Sequence, residues 1–180
     1  METIDELLTK LIACEESKEW AKGKTFVEIY TTCDRGDWLC WLFSRTNHED
    51  VQLLTLVKGH QANTVRHLMK DARSLKAVDT AIAFGEGRAT REELSEAAAA
   101  AWAAYIVAYN ADAASYAANY AAAAYAAFYA ANAADPTFTA LAACYAASVY
   151  NTAVEAARQA NRQLTADIFR KYISIDKFKI

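Results

Sequence analysis

Four cysteines and three histidines are the residues best suited to hold a metal or act as a nucleophile. Cys33, Cys40 and His48 lie close enough in sequence to offer three zinc ligands. Their spacing fits no standard knuckle and there is no C-x-x-C pair, so buried free thiols are the simpler reading. His60 and His67 are one heptad apart and share a face if one helix carries both, a spacing that suits packing better than acid–base chemistry. Helical metal bundles seat their ions on Glu-x-x-His pairs, and this chain has none; His-Glu-x-x-His is also absent. Neither a phosphate-cradling G-x-G-x-x-G or G-K-[ST] loop nor a G-x-S-x-G nucleophile turn occurs. The sequence therefore predicts no enzyme, no metal and no cofactor.

What remains is recognition. From Ala97 to Ala160 about half the residues are Ala, the best helix former. Within that tract Trp102, Tyr105, Tyr109, Tyr116 and Tyr120 fall inside about 60° of a helical wheel. Asp112 and Asn119 lie beside the stripe. Either the rings fill space that Ala cannot, or they form a face that meets a partner. Tyr suits such a face because it is large, fairly rigid and amphipathic. Burying four Tyr hydroxyls would require four internal acceptors, since each unpaired buried polar group costs about 1–3 kcal/mol. The expectation is therefore that Tyr105, Tyr109, Asp112, Tyr116, Asn119 and Tyr120 are at least partly exposed and contact the partner.

The elements that position these residues read as helices. The chain has 180 residues, 54% hydrophobic and 23% charged, with one Pro and a formal net charge of −3. That suits one all-α domain over 1–180 with a real core, and gives no basic footprint for a nucleic-acid polymer. Thr3 with Glu6, Thr25 with Glu28 and Thr90 with Glu93 match the S/T-x-x-E capping box. They predict helices from Thr3 to Gly23, a short one from Thr25 through Cys33, and one from 91 onward. Asp34-Arg35-Gly36 reads as a turn, with Asp37 capping the helix that carries Trp38 and Trp41. A helix over about 49–69 and one capped by Ser74 and broken at Gly85-Glu86-Gly87 complete the first half. Pro136 after Asp135 splits the Ala-rich region into two long helices, 91–134 and 137–173, folded as a hairpin. The uncharged stretch from Asp112 to Asp135 is mostly Ala, which drives membrane insertion poorly, so no membrane span is expected. The acidic start, Met1-Glu2-Thr3-Ile4-Asp5-Glu6, lacks the basic region of a secretory signal and predicts a cytoplasmic protein.

The segment from Cys33 to Leu42 (Cys-Asp-Arg-Gly-Asp-Trp-Leu-Cys-Trp-Leu) resembles the "CxRxDWLxWL" motif of a family of small all-α proteins. These are predicted immunity proteins of bacterial polymorphic toxin systems, and similar chains occur in phages. Gly87 to Leu94 resembles the family's "GxxxxEEL" stretch. Gln163 to Tyr172 is similar to its "QADIVRKY" ending, interrupted here by Leu164-Thr165. The resemblance spans about residues 20–173. It implies a non-enzymatic inhibitor that binds a cognate toxin domain and covers its active site. The phage chains suggest an alternative, an anti-defence protein that sequesters a nucleotide signal or blocks a defence protein. Asp37, Trp38, Trp41, Asp167 and Arg170 are read as the structural motif, with both Trp rings largely buried, Asp167 paired with Arg170, and the Asp37–Leu42 helix packed on Leu164, Ile168 and Phe169.

Overall fold

The computed structural model describes residues 3–47, 50–111, 126–132 and 155–180. The chain is all-α, with no strand among the described residues. Helices α1 (Ile4–Lys10), α2 (Glu15–Ala21), α3 (Phe26–Thr32) and α4 (Gly36–Thr46) are short. They are followed by α5 (Val51–Asn63), a 3-10 turn at Arg66–Leu68, α6 (Ala72–Gly85) and α7 (Arg91–Ala111). Helix α8 covers 126–131, α9 runs Glu155–Tyr172, and a 3-10 turn at Ile175–Lys177 ends the chain.

All three capping boxes form. Thr3 and Thr25 each accept from the amide three residues on, while Glu6 and Glu28 accept from the cap amides at 2.8 and 2.7 Å. Glu93 does the same for the Thr90 amide at 2.7 Å. The helix expected from Thr3 to Gly23 is broken. Ile12 takes φ 60°, and the Ala13 amide donates to the Leu8 carbonyl at 2.9 Å, the return bond of a left-handed helix stop. The break turns both Leu8 and Ala21 into one core. The expected helix over 49–69 stops at Asn63, which puts His67 in the 3-10 turn and off the helix of His60. Asp71, not Ser74, caps α6 by accepting from the Arg73 amide at 2.9 Å. Ser74 lies inside α6, buried, with its hydroxyl unpartnered.

Two cores share α5. Leu54 and Val57 join Leu39, Phe43, Ala166, Phe169, Ile173 and Phe178 in one. Ala62 joins Val65, Ala77, Ala81, Leu94, Ala101 and Ala127 in the other. The second core is built mostly of Ala, so backbones come close: a Cβ at Gly85 would overlap Leu56 of α5. The single helix expected over 91–134 is overturned. Its two ends would hold Trp102 and Phe128 about 39 Å apart, yet their rings are 5.1 Å apart. Helix α8 lies back on α7, closing the Ala-rich core. Of the helix expected over 137–173, only Glu155–Tyr172 falls within the described residues. No described helix is long and apolar enough to cross a membrane.

Candidate functional site

The motif residues gather where α3, α4 and α9 meet. Helix α4 starts at Gly36 because the chain there runs against α9: a Cβ on Gly36 would sit 2.5 Å from the Thr165 carbonyl carbon. Arg35 takes the cap position, without a side-chain cap bond. Asp37 therefore falls in the first turn and is not the expected cap. Its carboxylate still faces the positive helix end, held by Arg35 Nε at 2.9 Å and Nη2 at 2.7 Å. The Arg35 guanidinium lies over the Trp38 ring at 4.4 Å and reaches Glu16 of α2 at 3.3 Å.

Trp38 and Trp41 are half-buried, contrary to the expectation of largely buried rings. The fully buried face of α4 is Leu39, Cys40, Leu42 and Phe43. The two indoles lie to one side of it, where Trp38 meets Trp20 of α2 at 5.9 Å. As the sequence predicts, α4 packs on α9, and of the three residues named for it Phe169 makes the central contact. Phe43 meets Phe169 at 6.0 Å and Gly36 meets Thr165, whereas Leu164 is exposed and Ile168 only partly buried. Arg170 pairs with Asp167 at 3.0 Å. It also donates Nε to the Tyr30 carbonyl at 2.7 Å and Nη2 to the Cys33 carbonyl, so a cation closes the negative end of α3. Tyr30 returns a hydroxyl bond to the Ile173 carbonyl at 2.8 Å. Arg170 thus clasps α9 to α3, while Asp37 and Trp38 hold Arg35 at the start of α4; Trp41 lies apart, under Arg45.

Two cysteines near this clasp, Cys33 and Cys40, are buried free thiols. Burial raises the Cys33 thiol to about 11 and the Cys40 thiol to about 12, so neither is a thiolate nucleophile near neutral pH. Among the described residues no group of three metal-ligating side chains gathers, and His48 lies outside them.

Sequence reasoning missed a buried polar seam between the two cores. Lys58 is 2% exposed and donates to the Asn132 carbonyl at 2.9 Å, just past the end of α8. Burial lowers its ammonium to about 8. Gln61, one turn on, bonds Cys40 Sγ at 3.3 Å and the Thr165 carbonyl at 3.0 Å. The available signal was the row Leu54, Lys58, Gln61, Val65, in which two polar residues occupy helical positions bounded by apolar ones.

Two surface features are open to a partner. On α7, Trp102 is 41% exposed, Ile106 is 38% and Val107 is 58%. Tyr105 is half-buried against Trp102, ring centroids 5.3 Å apart. The Tyr109 side chain and Asp112, Tyr116, Asn119 and Tyr120 lie outside the described residues. Between α6 and α7 lies a cleft of about 830 Å³. Arg73 and Lys76 edge it from α6, Arg88 from the corner, and Glu93 and Glu96 from α7, over Ala83, Ala97 and Ala100. Asp71 holds Arg73 at 2.9 and 2.6 Å, and Arg88 pairs with Glu86. Lys76 has no ion-pair partner among the described residues. None of the described lining residues is aromatic.

No protein-family model matches the chain, no curated protein matches it, and no solved structure matches it.

Proposed function

We propose that this chain is a non-enzymatic immunity protein of the cytoplasm that binds a cognate bacterial toxin domain and blocks it by covering its active site. The observation that carries this reading is the exposed apolar face of α7, where Trp102 and Ile106, one turn apart, stand partly in solvent and Trp102 meets Tyr105. Large apolar side chains exposed together mark an interaction surface. Trp and Tyr are the residues that most often anchor one. From the sequence alone, Tyr109, Asp112, Tyr116, Asn119 and Tyr120 are proposed to join that face; their side chains lie outside the described residues. The motif residues support the reading from the other side: Arg170 is spent on joining α9 to α3 and Asp37 on holding Arg35, which leaves the remaining surface to meet the partner.

The alternative is a phage anti-defence protein that sequesters a nucleotide signal or blocks a defence protein. For nucleotide capture, Arg73, Lys76 and Arg88 share one cleft, as phosphate binding needs. Glu93 and Glu96 across it repel phosphate, and no described lining residue offers a ring for a base to stack on. The protein-binding reading is therefore preferred.

The test is protection. The chain is co-expressed with a toxin domain encoded immediately upstream, and growth and complex formation are measured. Rescue with a stoichiometric complex, lost in the folded double variant Trp102→Asp, Ile106→Asp, is the expected result. Full rescue by that variant, or no rescue by the wild type, overturns the proposal.

A further inference from the structure

The α6–α7 cleft has the side-chain order of a seat for a third helix. On α6 its edge is Arg73, Lys76, Thr80 and Ala83, spaced three, four and three. On α7 it is Glu93, Glu96 and Ala100, spaced three and four. Exposed Val107 follows seven residues after Ala100. Alternating steps of three and four are the rows that a nearly parallel neighbouring helix packs into. Ala83, Ala97 and Ala100 in that lining are small enough for a helix to approach closely.

The charges give that helix a direction. The corner of residues 86–90 is short, so α7 runs back along α6. Arg73 and Lys76 therefore stand at the open end, by Ala100, while Glu93 and Glu96 stand near the corner. Arg88 is there too, but it is paired with Glu86; Asp79 of the lining is likewise paired with Arg66, and Arg73 with Asp71, so Lys76 is the main cation at the open end. A complementary helix carries acidic residues at the open end and basic residues at the corner. Helices favour acids in their first turn and bases in their last. Both preferences agree only if the guest enters N-terminus first at Arg73 and runs parallel to α6.

We infer that this cleft binds an amphipathic helix of a protein partner, Ala-rich or otherwise small along its seam, acidic in its N-terminal half and basic in its C-terminal half, aligned with α6. The inference rests on the protein-binding reading above and adds the partner's chemistry and polarity.

The probe is a labelled Ala-based peptide of about 18 residues, long enough to form a helix alone, with Glu in its first half and Lys in its second. A control peptide has Glu and Lys exchanged. Anisotropy at low salt is expected to give a Kd on the order of 100 µM or tighter for the first peptide and about tenfold weaker binding for the control. Lys76→Glu, an exposed position that leaves the core intact, reduces binding of the first peptide at least about tenfold. The double variant Lys76→Glu, Glu96→Lys reverses the preference. Absent binding of both peptides, equal binding of both, or indifference to Lys76→Glu overturns the inference. The assay needs no toxin, so failed protection with peptide selectivity intact counts against the toxin reading alone.

Discussion

Gly36 lies against Thr165 so tightly that a methyl group at position 36 would fall 2.5 Å from the Thr165 carbonyl carbon and 2.7 Å from its oxygen. These are backbone atoms of α9 and cannot swing aside. Gly36→Ala is expected to lose about 1–3 kcal/mol, as overpacking does. Urea unfolding checks it, with the midpoint lowered at unchanged slope. An unaltered midpoint would mean that α4 and α9 cross farther apart.

Trp38 is an edge residue, which sets its worth. Phe43→Ala, in the fully buried core, is expected to cost about 3–5 kcal/mol. Trp38→Ala should cost less, about 1–3 kcal/mol, because the ring is half in solvent and loses mainly its contacts with Trp20 and Arg35. Equilibrium denaturation of the two variants side by side is the measurement. Equal losses would place Trp38 in the core after all.

Lys58 makes stability depend on pH in a narrow window. Its folded value is about 8 against 10.5 for a free side chain. Between those values the unfolded chain holds the extra proton, so raising the pH favours the fold. Cys33 and Cys40, raised from 9.0 to about 11 and 12, act in the opposite direction above pH 9. The comparison is therefore between wild type and Lys58→Met. From pH 8 to 10.5 the wild type should gain about 3 kcal/mol relative to that variant. Denaturation at matched ionic strength measures it, and a constant difference across the range would contradict the lowered value.

Ile12 combines a left-handed backbone with an 88% exposed side chain. A β-branched residue is strained at positive φ, and glycine is not. Ile12→Gly is expected to raise stability by about 1 kcal/mol, seen as a higher thermal midpoint. A lower midpoint would show that the isoleucine side chain has packing partners.

The three capping boxes were legible in the sequence because each is local, a hydroxyl and a carboxylate three residues apart. The α4–α9 contact was legible because the first half is rich in Trp, Leu and Phe, while the Ala-rich half offers little bulk before Leu164, Ile168 and Phe169. The stop at Ile12 was not: the residue is neither Gly nor Asn, and only the need to turn Leu8 and Ala21 inward imposes it. Asp37 reads as a cap from its type, but the helix starts two residues early, at Gly36, where the chain closely approaches α9. Ser74 reads as a cap for the same reason and is displaced by Asp71. The return of α8 onto α7 is invisible in a tract where nearly every residue favours helix. The α6–α7 cleft escaped notice because its Arg, Lys and Glu residues come from two helices and a corner, with no run of like charge to mark it.

The Arg170 clasp also sets a timetable for synthesis. Its acceptor at Cys33 is 137 residues upstream. At roughly 5–20 residues per second, the ribosome takes on the order of ten seconds to supply the donor. Throughout that interval the apolar side of α4, with Leu39 and Phe43, has no α9 to cover it. The nascent chain therefore presents a sticky amino-terminal segment until its last helix emerges, and chaperones that shield such segments are its natural early company.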